Sequence, residues 1–190
     1  MERVLAACWR LLERGPGMQV RMSDIAREAG ISRQALYLHF PNRAELLIAT
    51  TRFIDARSGV AARLAASRAA TGGIERLEAY IEAWGGYIPT IYGVGRALMA
   101  MADTDEAARA AWADRMAAMR EGCAAAVAAL AWDGVLDPSL DEVRATDVLW
   151  TLLSVRTWEH LVRDCGWSQD AYVADMKRLG RRALVTGEGG

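Results

Sequence analysis

Apolar residues recur every three or four positions along nearly the whole chain, and nowhere do they alternate strictly with polar ones. That spacing confines the chain to helices, because a helix face repeats about every 3.6 residues and a strand face every second one. The predicted fold class is all-α. Val4, Leu5, Cys8, Leu11 and Leu12 line one side of a first helix, which Gly15-Pro16-Gly17 ends. Met22, Ile25, Ala26 and Ala29 stripe a short second helix that stops at Gly30, and a third runs from about Ser32 to Phe40. Pro41 forces a break, since proline cannot continue a helix and disfavours helix in the residue before it. Asn42 then caps a fourth helix with Glu45 three positions on, a pair like a capping box, and this helix extends to about Ser67.

Beyond it, Thr71-Gly72-Gly73 is a turn. Ile74, Leu77, Ile81, Trp84 and Ile88 mark a fifth helix, interrupted near Gly85-Gly86 and Pro89; a sixth covers about Ile91 to Ala102. The seventh is long, Thr104 to about Asp133, with Trp112, Met116, Met119, Cys123, Val127 and Leu130 on one face. "GVLDPSLD" separates it from an eighth, about Asp141 to Asp164, and Ser168 caps a ninth that frays at the glycine-rich tail.

Composition bounds the function. With 53% hydrophobic residues and a net charge of -1, the chain fits a soluble globular protein. The charge is uneven: residues 1–63 hold ten Arg against six acids, and the remainder thirteen Lys plus Arg against eighteen, so +4 and -5 sum to -1. A basic first third suits a polyanion-facing module. No apolar run reaches the roughly 18 to 20 residues of a membrane span, so no membrane partner is expected. The opening "MERVLAACWRLLERG" carries charges inside its apolar pattern, like an amphipathic helix and unlike a signal peptide. Cys8, Cys123 and Cys165 are far apart, and with no CxxC and two histidines neither a metal site nor a cofactor is expected. The thiols read as reduced, in a cytoplasmic protein.

Helix two, the glycine turn and helix three make a helix-turn-helix, "SDIAREAGISRQALYLHF". Ile25, Ala26, Ile31, Leu36 and Phe40 supply its apolar contact, which forces the other side chains of helix three outward. In such a motif the outward face enters the DNA major groove. Gln34 has the paired donor and acceptor that suit adenine, and Arg33 suits guanine. Tyr37, one turn on, can reach a thymine methyl or a phosphate, and His39 and Arg43 stand where phosphate oxygens are expected.

The stretch "IAREAGISRQALYLHFPNRAELL" resembles the DNA-binding signature of the TetR family of bacterial regulators, over about Val4 to Leu47. The resemblance implies base readers at Arg33, Gln34 and Tyr37, and backbone contacts at Ser32, His39 and Arg43. Two positions depart from the signature. Arg21 stands where a Thr or Ser cap opens helix two, unless the helix starts later and Ser23 caps it. Leu38 stands where an aromatic or polar phosphate contact is often found. The resemblance further implies a DNA-binding domain at 1–47 and a helical effector-binding and dimerisation domain at 48–190. The implied partners are an operator of double-stranded DNA, a second copy of the chain, and a small hydrophobic or aromatic effector. The implied activity is that of a ligand-released regulator, a repressor, and not an enzyme.

In the second region, helix eight carries Val148, Leu149, Trp150, Leu152, Leu153, Trp158 and Leu161 on more than one face, more apolar surface than one core needs. The resemblance implies that the last two helices pair with their mates across a two-fold axis. Trp84, Tyr87, Tyr92, Met99, Trp112, Met116, Met119 and Trp150 are either core packing or, with Gly85-Gly86, the lining of an adaptable apolar cavity. Arg96 and Glu82 could anchor a ligand there. Two rivals remain: an interaction adaptor, or an enzyme built on His160 with Glu159 and Cys165. Adjacent helical residues point apart, so Glu159 cannot orient His160 through one face.

Overall fold

The computed structural model describes residues 1–14 and 20–187. The stop at Gly15-Pro16-Gly17 and the fraying tail at 188–190 lie outside the described residues. Among those described there are twelve α-helices, one π-helical segment and no strand beyond an isolated bridge between Leu136 and Val185. No helix in them is long and apolar enough to cross a membrane. The chain divides into two compact units, residues 1–59 with 89–115, and residues 60–88 with 116–190.

The first unit opens with α1 (Glu2–Arg14), α2 (Met22–Ala29), α3 (Arg33–His39) and α4 (Arg43–Ser58). α1 packs on α2 and α4, and α2 on α3. Their apolar stripes meet in a core of Val4, Leu5, Cys8, Leu12, Ile25, Leu36, Phe40, Leu46, Leu47 and Ile54. Thr50 and Thr51 are buried in α4 because each hydroxyl donates to the carbonyl four residues back, on Leu46 and Leu47. The helix expected to run to Ser67 stops at Ser58 instead, where Gly59 takes a left-handed φ of 61°. An alanine- and arginine-rich run hides that stop, and only glycine adopts the turn at no steric cost.

α8 (Ile88–Met101) completes this unit from Pro89 onward. It starts earlier than the expected Ile91, because Pro89 falls in the first turn, where a missing N–H costs nothing. Trp9 donates through its indole N–H to the Thr90 carbonyl at 3.3 Å. At Gly93 a Cβ would lie 2.8 Å from the Leu12 carbonyl oxygen, so α8 crosses α1 at a point that only glycine allows. α9 (Glu106–Trp132) belongs to this unit up to Arg115, which pairs with Asp55.

The second unit holds α5 (Val60–Arg63), α6 (Ala65–Ala69), α7 (Gly73–Gly85) and α9 from Met116. It ends with α10 (Glu142–Leu152), α11 (Val155–Trp158), a π segment (Glu159–Asp164) and α12 (Gln169–Leu184). α7 packs against α6 and α12, and α10 against α12. Three side chains fix this arrangement. Tyr80 donates its hydroxyl to the Met119 carbonyl at 2.7 Å, Trp84 its indole N–H to Leu153 at 2.9 Å, and Gln169 its amide to Gly85 at 2.9 Å. Gly85-Gly86 therefore serves close packing: a Cβ on Gly85 would meet Val173 at 3.3 Å. The single eighth helix expected over 141–164 is broken at Leu153, because Ser154 caps a new helix by accepting from the Thr157 N–H at 3.0 Å. Ser168 caps α12 as expected, accepting from Ala171 at 3.1 Å.

Candidate nucleic-acid interface

α2 begins at Met22, so Ser23 does not cap it. Arg21 occupies the cap, and a guanidinium has no acceptor to offer. Half of a capping box survives: the Arg21 backbone N–H donates to the Asp24 carboxylate at 3.2 Å. α2 closes at Gly30 with φ 66°, where Ile31 N–H reaches back to the Ala26 carbonyl at 3.0 Å. That six-residue loop sets the angle to α3. Ser32 then caps α3 by accepting from the Ala35 N–H at 3.1 Å. Its hydroxyl proton stays free to donate.

Leu36 and Phe40 anchor α3 in the core, while Ile31 is only half-buried. With about 100° between successive residues, Gln34 and Leu38 lie opposite Leu36. Arg33 and Tyr37 flank them on one side, Ala35 and His39 on the other. Ser32, Arg33, Gln34, Tyr37, Leu38 and His39 are all exposed, Leu38 at 80%. The Arg33 guanidinium sits 5.4 Å from the Tyr37 ring centroid, within cation–π range. Leu38, noted above only as a departure, is at the crest of the exposed face. The signal that could have placed it there is its spacing of four from Gln34.

Arg43 does not join this surface. It is half-buried, one guanidinium nitrogen lies 3.4 Å from the Met101 sulfur, and its Nε is buried without an acceptor among the described residues. A contact across 58 positions leaves no trace in a local pattern.

The eight aromatic and methionine residues divide between the units. Tyr92, Met99 and Trp112 lie in the first, where Trp112 stacks against Gly95, 3.2 Å from the position of a Cβ there. Trp84, Tyr87, Met116, Met119 and Trp150 lie in the second. Trp84 meets Tyr87 edge-on at 6.0 Å between centroids, and Tyr87 and Met119 are buried. The Trp150 indole nitrogen is buried with no acceptor among the described residues. Of the two ligand anchors considered, Glu82 is exposed and pairs with Lys177 at 2.5 Å, while Arg96 is half-buried. No group of His, Cys, Asp or Glu among the described residues could hold a metal.

The motif is a helix-turn-helix whose second helix exposes hydrogen-bonding and apolar side chains. Its sequence, residues 4–50, matches the family described as "Bacterial regulatory proteins, tetR family". That match covers 47 of the 190 residues and is confined to the helix-turn-helix and the helices beside it. A nucleoid occlusion factor, SlmA, of Shewanella sp. (strain W3-18-1) is 35% identical over 54 residues, 28% of this chain and 27% of that protein. The chain thus spans about a quarter of the length of the curated relatives it matches. Two solved structures share the fold. A protein of Saccharomonospora viridis assigned as a transcriptional regulator, in complex with choline, has a TM-score of 0.81 at 21% identity, covering 97% of this chain and 96% of its own. The fatty acid degradation regulator FadR of Bacillus halodurans has a TM-score of 0.68 at 16% identity, covering 99% and 95%.

Proposed function

We propose that this protein is a transcriptional regulator that binds a palindromic operator as a homodimer and is released from it by a small hydrophobic effector. The observation that carries the DNA-binding reading is the exposed face of α3. Its adenine-suited amide at Gln34, its guanine-suited Arg33 and its apolar crest at Leu38 stand on a helix locked by Leu36 and Phe40. Tyr37 stands among the base readers, and Ser32 and His39 meet phosphates. In this reading residues 1–47 carry DNA binding and 48–190 the effector and dimer surfaces. Arg43 serves as a phosphate contact by leaving Met101, and the thioether it gives up is a weak acceptor.

Half-buried Val148, Trp150, Leu152, Leu161 and Val162 support pairing through α10 to α12. The unanswered Trp150 N–H supports an effector that brings an acceptor as well as apolar surface. Release requires that the effector prefer the conformation that does not bind DNA. The decisive experiment is a gel shift against the DNA flanking the chain's own gene. A shifted band that excess unrelated DNA does not compete away supports the reading. Binding that random DNA competes equally well overturns it.

A further inference from the structure

Outside the DNA-facing helix, one cluster brings a nucleophile, a base and an orienting carboxylate together on the surface. Cys165 is exposed, and its sulfur lies 3.9 Å from Nε2 of His160. The other ring nitrogen, Nδ1, lies 3.4 Å from the Asp164 carboxylate. Asp164 can only accept, so the neutral tautomer with its proton on Nδ1 is the one that satisfies it and turns a bare Nε2 toward the thiol. The backbone explains why these groups meet. In an α-helix residues five apart point in different directions. Here the Cys165 N–H bonds to the His160 carbonyl at 2.9 Å, the five-residue step of a π turn, which brings the thiol beneath the ring. Gly166, at φ 75°, then ends the segment. Glu159, weighed from the sequence as the orienting acid, is not the one: Asp164 occupies that place.

The other two thiols behave differently. Cys8 and Cys123 are fully buried, so neither can resolve a disulfide with Cys165 or compete for a reagent. A solitary exposed thiol with a base at hand suits addition, which needs no second thiol and no oxidant.

We propose that Cys165, with His160 as its base and Asp164 as the positioning residue, is a modification site for soft carbon electrophiles of the α,β-unsaturated carbonyl class. His160 Nε2 takes the thiol proton as sulfur forms its bond to the β-carbon. The π pair of the C=C bond moves to the carbonyl oxygen as an enolate. The imidazolium returns its proton to the α-carbon. One S–H and one C=C π bond are lost, one C–S and one C–H bond are formed, and nothing leaves. This inference is independent of DNA binding and of the effector, and it requires that the cluster stay open to solvent beside the pairing surface proposed at Leu161 and Val162.

The test treats the full chain with 2-cyclohexen-1-one and follows intact mass and peptide mapping. A single adduct on Cys165 is expected, formed at least about tenfold faster than on a cysteine in an unstructured peptide, a modest part of what a positioned base contributes. Cys165→Ser should take up none. His160→Ala should fall to the peptide's rate and recover when free imidazole is added, a rescue that a purely structural histidine would not show. Asp164→Asn should slow the reaction and Asp164→Glu restore it, with circular dichroism confirming that each variant is folded. The proposal is overturned if Cys165 reacts no faster than the peptide, if the adduct maps elsewhere, or if folded His160→Ala keeps the parent rate.

Discussion

A methyl group at Gly122 would sit 2.4 Å from the Tyr80 hydroxyl oxygen, which is already committed to the Met119 carbonyl. In an open helix alanine would gain about 1 kcal/mol over glycine, whereas overpacking costs about 1–3 kcal/mol. The clash should win, and Gly122→Ala should lower the urea midpoint without changing the slope. Burial also dominates the two inner thiols. It pushes Cys8 from 9.0 up to about 11, against the pull of the Thr50 hydrogen bond and the Arg43 charge. It pushes Cys123 from 9.0 up to about 12, against the Tyr80 hydrogen bond and Arg120. Burial raises the Tyr80 and Tyr172 phenols as well. In each case the folded chain holds the neutral form and the unfolded chain gives up its proton at lower pH. The stability they contribute is complete below about pH 9 and drains away as the pH climbs through the raised values. Thermal melts should show a level Tm from neutral pH to about 8.5 and a steep fall above it; a Tm still level near pH 11 would contradict the burial of these groups.

Among the elements, α3 gives the sharpest expectations. Gln34→Ala should cost about 1–3 kcal/mol of discrimination at one base pair. Leu38→Ala should erase the affinity difference between operators carrying thymine and deoxyuridine at the contacted position, since the thymine methyl is what Leu38 would touch. Arg43→Ala should instead weaken all DNA similarly and reduce the salt slope by about 1. A change of sequence preference in Arg43→Ala, with none in Gln34→Ala, would reverse this assignment. The pattern of legibility follows from the same geometry. α3 and its exposed residues were readable because a helix, a cap at Ser32 and an anchor at Leu36 fix them within a few positions. The breaks at Gly59 and Ser154 were not readable, since a lone glycine or serine inside a helical pattern can be tolerated or can terminate it. The direction of Arg43 toward Met101 and the π turn beneath His160 depend on tertiary contact and on a rare backbone register, neither of which has a local signature.

For the molecule as a whole, sedimentation at micromolar concentration should find a dimer, and polar substitutions at Leu161 and Val162 should shift it toward monomer. A parent chain that sediments as a monomer with and without DNA would refute pairing through α10 to α12. The order of the chain through its two units has a further consequence. It crosses from one to the other at residues 59, 88 and 115. The helix-turn-helix is local in sequence, yet its structural unit is not. A fragment ending at residue 59 would lose the Thr90 acceptor of Trp9, the glycine crossing over Leu12, the sulfur beside Arg43 and the partner of Asp55. Such a fragment should melt lower than the intact chain. The helix-turn-helix is therefore not a cassette to be excised and grafted elsewhere: transplanting it means carrying α8 and the start of α9 with it, two pieces of sequence for one piece of structure.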